Sequence, residues 1–237
     1  MIKLLWYKAW LETRSRFFIA LTLCVVLCAQ LVIVLSRGEP PSGTISVLNG
    51  VHATLVIVWS LSIVLLMMGG LLREKASGSV QYTLALPVSR LRLMLTRIGM
   101  GLVQSVALAI LPWIAMLFAG RAAGKPIFIS QAGFHVFLLL TGGAVFIALA
   151  LLISCVVEGE YTAPIVSLGV IVMLAYALSS RSLSRYSPSV YMMGFPYLDR
   201  HTSYLAGPLP WLRAGLYMLT AVLLTGIAIR VIQKRDF

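Results

Sequence analysis

The sequence predicts an all-α membrane protein with six transmembrane helices, on three observations. Hydrophobic residues make up 60% of its 237 positions and charged residues only 11%, against about a quarter charged in soluble domains. The apolar residues gather into six runs, at about 17–35, 51–72, 98–119, 134–157, 161–178 and 211–229. Crossing a hydrocarbon core of about 30 Å takes roughly 20 helical residues. The middle of each run is free of acidic and basic side chains, each of which would cost about 2.5–3.5 kcal/mol there. The whole chain reads as one transmembrane domain.

Residues 1–16 precede the first run. Ile2, Leu5, Trp6, Ala9, Trp10 and Thr13 share one side of a helical wheel, with Lys3, Lys8, Glu12 and Arg14 off it. This imperfect amphipathic helix is expected to lie in the headgroup region and then turn into the bilayer. The run that follows is too long for a signal peptide, and no small-residue cleavage site is evident.

The second and third runs are separated by the polar stretch 73–90, which carries both signs of charge. Ser77 or Ser79 can cap a short helix. Pro87 ends it, lacking an N–H and disfavouring helical geometry at Leu86. Ser89 can cap the next helix, which continues through Arg90, Arg92 and Arg97. The expected object is a short helix lying crosswise on the membrane face and held by a span at each end. The fourth and fifth runs are parted only by Glu158-Gly159-Glu160, which reads as a tight hairpin.

Six spans put both termini on one side, and the loop charges orient them. The N-terminal side holds Lys3, Lys8, Arg14, Arg16, Arg73, Lys75, Arg90, Arg92, Arg97, Arg230, Lys234 and Arg235, twelve of the nineteen basic residues. The opposite side holds Arg37, Arg121, Lys125, Arg181, Arg185, Arg200 and Arg213. The positive-inside rule therefore predicts cytoplasmic termini and a cytoplasmic 73–97 stretch. It also accounts for the net charge of +12. The basic residues form no dense tract, so no nucleic-acid partner is expected.

The long outer stretch is 179–210, with Pro188, Pro196, Pro208, Pro210, Tyr186, Tyr191, Tyr197 and Tyr204. Ser187 through Gly194 reads as one short helix with a cap, a proline at its first position and a glycine past its end. So many tyrosines suggest an interfacial or partly re-entrant element. A structured loop without a gating role fits as well.

Catalytic and metal chemistry is not expected. His52 and His135 fall near the outer ends of the second and fourth spans and read as interfacial residues, while His201 is in the outer loop. Three dispersed histidines without neighbouring carboxylates build no metal site. Cys24, Cys28 and Cys155 sit inside apolar runs as small buried hydrophobes. Residues 120–126 look superficially like a phosphate loop, but Pro126 stands where a Ser or Thr hydroxyl is needed. Ser77-Gly78-Ser79 has no histidine partner in reach. No ATPase motif is present, and no catalytic site is visible.

With these residues in view, the chain resembles the permease subunits of type 2 ATP-binding-cassette exporters. The specific match is Arg73, Glu74, Lys75, Gly78, Leu84, Pro87, Val88, Ser89 and Arg90, in eighteen residues. The six-span layout extends the similarity over the whole chain, and the ending Gln233–Phe237 looks like the basic, aromatic-tipped tails of these subunits. Ala76 and Gln81 depart from the pattern, where relatives often carry acids. The resemblance implies that 73–90 is a coupling helix, with Arg73, Glu74, Gly78, Gln81, Tyr82, Leu84, Pro87, Ser89 and Arg90 at or near its contact with an ATPase. It further implies a separate cytoplasmic ATPase that binds ATP and Mg, a dimer of permeases, a path lined by spans two and five, and an outer gate at 179–210. This chain itself would hold no cofactor.

Spans two and five offer Thr54, Trp59, Ser60, Ser62, Met67 and Met68, with Tyr161, Thr162, Ser167 and Tyr176. These hydroxyls, aromatics and thioethers carry no fixed charge. Helix packing explains them all. As path walls they suit an amphipathic or lipid-like cargo (drug, peptide or lipid) better than an ion. Pro164 and Gly69-Gly70 could let the two helices bend. The reading is an export permease embedded among membrane lipids. The alternative is a non-transporting scaffold or assembly factor that docks a cytoplasmic ATPase through the same inner helix.

Overall fold

The computed structural model describes residues 2–36, 41–67, 90–122, 124, 127–157, 162–178, 180, 182–199 and 204–234. Side chains at 31–36, 41–47, 90 and 91 lie outside that description, as do those of residue 2. Its helices are α1 (Ile2–Ser36), α2 (Pro41–Met67), α3 (Arg90–Ala122), α4 (Ile129–Val156), α5 (Thr162–Ala177), the short α6 (Pro188–Met192) and α7 (Trp211–Lys234). Each of the six apolar runs falls largely on one of the six longer helices. Among the described residues, four helices are long and apolar enough to cross a membrane: Leu48–Met67, Arg92–Ala122, Ile129–Val156 and Trp211–Lys234. Helix α5 is apolar but has 16 residues. The expected six spans are therefore four on this measure, within an all-helical multi-pass protein.

One expectation is corrected at the N-terminus. No turn separates residues 1–16 from the first apolar run, because Ile2–Ser36 is one continuous helix of 35 residues. The cause is in the sequence, which has no glycine or proline before Gly38, so nothing breaks the backbone ladder.

Helix α4 is the packing hub and touches α2, α3, α5, α6 and α7. Against α7 it meets a stripe of small residues, Ala214, Ala221 and Ala228, all buried and seven residues apart. The opposite face of α7 exposes Leu212, Leu216, Leu219, Val222 and Leu223. That division is expected where the solvent is lipid, since burying a leucine there gains little and close backbone approach gains dispersion contact. The main core joins Phe17, Ala20 and Cys28 of α1 to Leu55, Trp59 and Ile63 of α2, Trp113 and Met116 of α3, Phe146 of α4 and Met192 of α6.

The outer stretch folds on this frame. A 3-10 turn at Ser184–Tyr186 leads into α6, and a second at Phe195–Tyr197 follows it. Gly194 joins them at φ +77°, in the left-handed region that glycine enters without a Cβ clash. The chain then returns through an antiparallel bridge between Leu198 and Leu205. Ser187 precedes Pro188 at the start of α6, but its hydroxyl does not cap the helix amides. It bonds the Ser189 hydroxyl at 2.8 Å instead, and the expected cap is corrected to a hydroxyl pair.

Candidate functional site

The stretch 73–89, including Arg73, Glu74, Gly78, Gln81, Tyr82, Leu84, Pro87 and Ser89, lies outside the described residues. Arg90 opens α3. What surrounds the two ends of that stretch is a set of polar contacts among α1, α2 and α3. Arg97 pairs with Glu12 at 3.1 Å, and Lys8 approaches the same carboxylate at 3.7 Å. Gln104 Nε2 donates to Thr13 Oγ1 at 2.7 Å, and that hydroxyl donates in turn to the Ala9 carbonyl at 2.9 Å. Arg16 Nη1 donates to the Leu65 carbonyl of α2 at 2.9 Å. Trp6 lies over Gly99, where a Cβ would stand 2.9 Å from the indole. These contacts fix α1 across the entrances of both helices that flank 68–89.

Farther along α2, the residues proposed for a path sit in the helix bundle. Trp59 is fully buried, and its Nε1–H donates to the Ser105 carbonyl of α3 at 3.0 Å. Its ring fills the space over Gly143 of α4, where any Cβ would overlap it. Ser62 is buried and donates to the Val58 carbonyl at 2.7 Å. Met67 is buried against Gly101, leaving 2.5 Å between its methyl and a Cβ placed there. Thr54 and Ser60 donate to the carbonyls four residues back. On α5, Pro164 is half-buried and Ser167 is fully buried with no partner for its hydroxyl. Tyr176 is 84% exposed. The structure thus groups Trp59, Ser62 and Met67 and leaves Tyr176 on the opposite, outer face of α5. Met68 and Tyr161 lie outside the described residues.

Beside α6 the histidines are not interfacial, and that expectation is corrected. His52 and His135 are 0% and 1% exposed, with ring centroids 4.2 Å apart. Trp113 stacks on His135 at 4.7 Å and lies 5.6 Å from His52. Three helices carry the trio, and each ring removes the others from water. His52 Nε2 donates to the Met192 carbonyl of α6 at 2.9 Å, and His135 Nδ1 donates to the Gln131 carbonyl at 2.8 Å. A carbonyl only accepts, so both contacting nitrogens carry the proton, and burying the two rings side by side disfavours a positive charge on either.

Helix α6 is seated on this trio and on a notch in α4. A Cβ at Gly142 would stand 2.6 Å from Met192 Cγ and 2.9 Å from the Tyr191 ring. The Tyr191 hydroxyl lies 3.2 Å from Thr141 Oγ1, and burial holds its phenol above its ordinary pKa. Around it Tyr197 and Tyr217 pack edge-on at 5.9 and 4.9 Å. Gln131 clamps the returning strand, donating to the Leu205 carbonyl and accepting from its N–H, both at 2.9 Å. Arg213 donates to the Tyr197 hydroxyl at 3.1 Å, and Tyr217 donates to the Tyr186 carbonyl at 3.1 Å. The segment is thus tied to α2, α4 and α7.

Sequence reasoning took His52 and His135 for interfacial residues and passed over Trp113, Gln131 and the Gly142-Gly143 pair. A signal existed for the pair, since adjacent glycines inside a 28-residue helix weaken it unless something packs closely there. No group of three or more metal-binding side chains occurs among the described residues.

A search of curated proteins finds no match. A family model described as "ABC-2 family transporter protein" matches residues 20–213, from the middle of α1 into the start of α7. That stretch holds α2 to α6 whole, with Arg97 and Gln104 of α3 and the Gly142 notch under α6. The chain therefore belongs to the ABC-2 transporter family, as a membrane permease component that is not itself catalytic.

Proposed function

We propose that this permease works as an exporter: two copies, with separate cytoplasmic ATPase subunits that bind ATP and Mg, move an amphipathic or lipid-like cargo outward. The observation that carries the reading is the family match over 20–213, joined to the Arg73–Arg90 pattern. Both termini are cytoplasmic and the membrane is a bacterial inner membrane. The short helix in 73–90 docks on the ATPase with Gln81, Tyr82 and Leu84, with Arg73, Glu74, Gly78, Pro87, Ser89 and Arg90 shaping it. Support comes from its surroundings, because the Glu12–Arg97 and Thr13–Gln104 contacts join α3 to α1 and the Arg16–Leu65 bond joins α2 to it. Force applied there reaches three helices at once.

The second copy stands against α5, where Ile165, Met173 and Tyr176 are exposed, and the path runs between the copies. Cargo meets uncharged walls, including Tyr176, while Trp59, Ser62, Met67, Pro164 and Ser167 shape them from behind or within. The segment 179–210 closes the outer end. The test is co-expression with the ATPase: Tyr82→Asp and Leu84→Asp lose co-purification, or keep it and lose coupling between ATP hydrolysis and export. Wild-type assembly and export in both variants refute the docking. Assembly without export of any cargo by the wild type favours a scaffold.

A further inference from the structure

We propose that the His52–Met192 hydrogen bond is the latch of the outer segment, set in a pocket wall that prefers water once the segment lifts. The proposal rests on the reading of 179–210 as the outer gate. It adds which residues hold that gate shut and why it can open.

A hydrogen bond runs from α2 into α6, from His52 Nε2–H to the Met192 carbonyl, near the C-terminal end of a five-residue helix. Carbonyls at a helix end lack an intrahelical donor, so the imidazole satisfies a group that would otherwise be buried bare. Shape completes the seat: Met192 is fully buried, Tyr191 is 2% exposed, and both rest on the Gly142 notch. On their own these contacts describe a closed plug.

The same trio also carries the opposite tendency. With Nε2 of His52 and Nδ1 of His135 protonated and engaged, His52 Nδ1 and His135 Nε2 are bare acceptors. Both are buried without a partner, and so is the Trp113 Nε1–H donor beside them. Two acceptors and one donor within one ring cluster match the hydrogen-bonding capacity of a water molecule. In the closed seat no protein group engages these atoms; an opened seat exposes them to bulk water. The seat thus balances one direct bond and close packing against three polar atoms that no side chain or backbone group meets. A plug built from leucine and phenylalanine would lack the second arm and stay shut. This balance gives histidine a reason to occupy both positions.

Amide hydrogen exchange on the purified permease in lipid nanodiscs tests this without ATPase or cargo, so its failure is separate from failure of the export reading. The reporters are the amides of Tyr191, Met193 and Gly194, which donate to the Ser187, Ser189 and Tyr191 carbonyls. His52→Phe keeps an aromatic ring, somewhat larger than imidazole, and removes the donor, and exchange at these amides is expected to rise about tenfold. His52→Gln retains an N–H donor and is expected within about threefold of wild type. His135→Phe removes the unengaged Nε2 acceptor and keeps an aromatic ring against Trp113, and exchange is expected to slow. Unchanged exchange in His52→Phe, or equal acceleration in His52→Gln, overturns the latch. Faster exchange in His135→Phe overturns the balancing role, and that result stands even if His52→Phe is not recovered folded.

Discussion

At Gly143 the bundle has no room for a side chain, since a Cβ there overlaps the Trp59 ring. Gly143→Ala should therefore lower stability by about 1–3 kcal/mol through overpacking, seen as a lower unfolding midpoint of the detergent-solubilised permease. Gly133→Ala on the same helix is the control: nothing lies within 4 Å of its Cβ, and the helix gains about 0.5–1 kcal/mol. An equal loss in both would mean that Trp59 does not fill that notch. The residue scale is also where the sequence was least legible. Histidine beside an apolar run looks the same whether it faces headgroups or a buried partner, and the partners of His52 here are 61 to 140 positions away. Likewise Trp59 could line a path or fill a notch, and only Gly143 and the Ser105 carbonyl place it in the packing.

Among elements, the outer segment shows how a few polar side chains order a stretch with little regular structure. Gln131 serves both the N–H and the carbonyl of Leu205, as a neighbouring strand would. Gln131→Ala leaves both groups unmet, each worth about 1–3 kcal/mol when buried. The expected result is faster exchange at the Leu205 amide and earlier proteolysis within 199–210. Gln131→Glu keeps the acceptor and should preserve protection of that amide better than alanine does. At the inner end the ranking of contacts differs. Side chains of Arg97 and Glu12 are 21% and 35% exposed, so that pair contributes about 0–1 kcal/mol. The Thr13–Gln104 bond, with Gln104 only 2% exposed, matters more. Gln104→Leu should loosen α1 from α3 more than Glu12→Gln, measured by exchange across residues 9–16. The short helix at 188–192 was readable because Ser, Pro and Gly punctuate it locally. Which helix it docks on was not, since docking depends on an absent side chain at Gly142.

For the whole molecule, apolar run length and turn residues placed the six longer helices, because lipid forces every backbone group into an internal ladder. The same rule hid the joint that was expected near residue 16. Amphipathic character suggested a change of direction, but only a backbone breaker produces one. Orientation remains a charge argument, and it is directly testable. Single cysteines at Ser42, Ser130 and Ser182 should react with an impermeant thiol reagent in intact cells, and one at Ser79 should not. Labelling at Ser79 alone would invert the arrangement. Helix α1, finally, is one unbroken rod. Its 35 residues extend about 52 Å at about 1.5 Å per residue, well beyond the apolar thickness of a bilayer. Glu12, Thr13 and Arg16 grip its neighbours about a third of the way along. Past that grip Phe17, Ala20 and Cys28 stay packed in the core, so α1 has no free end there. A push on its first turns would be carried along the rod to the other face of the membrane.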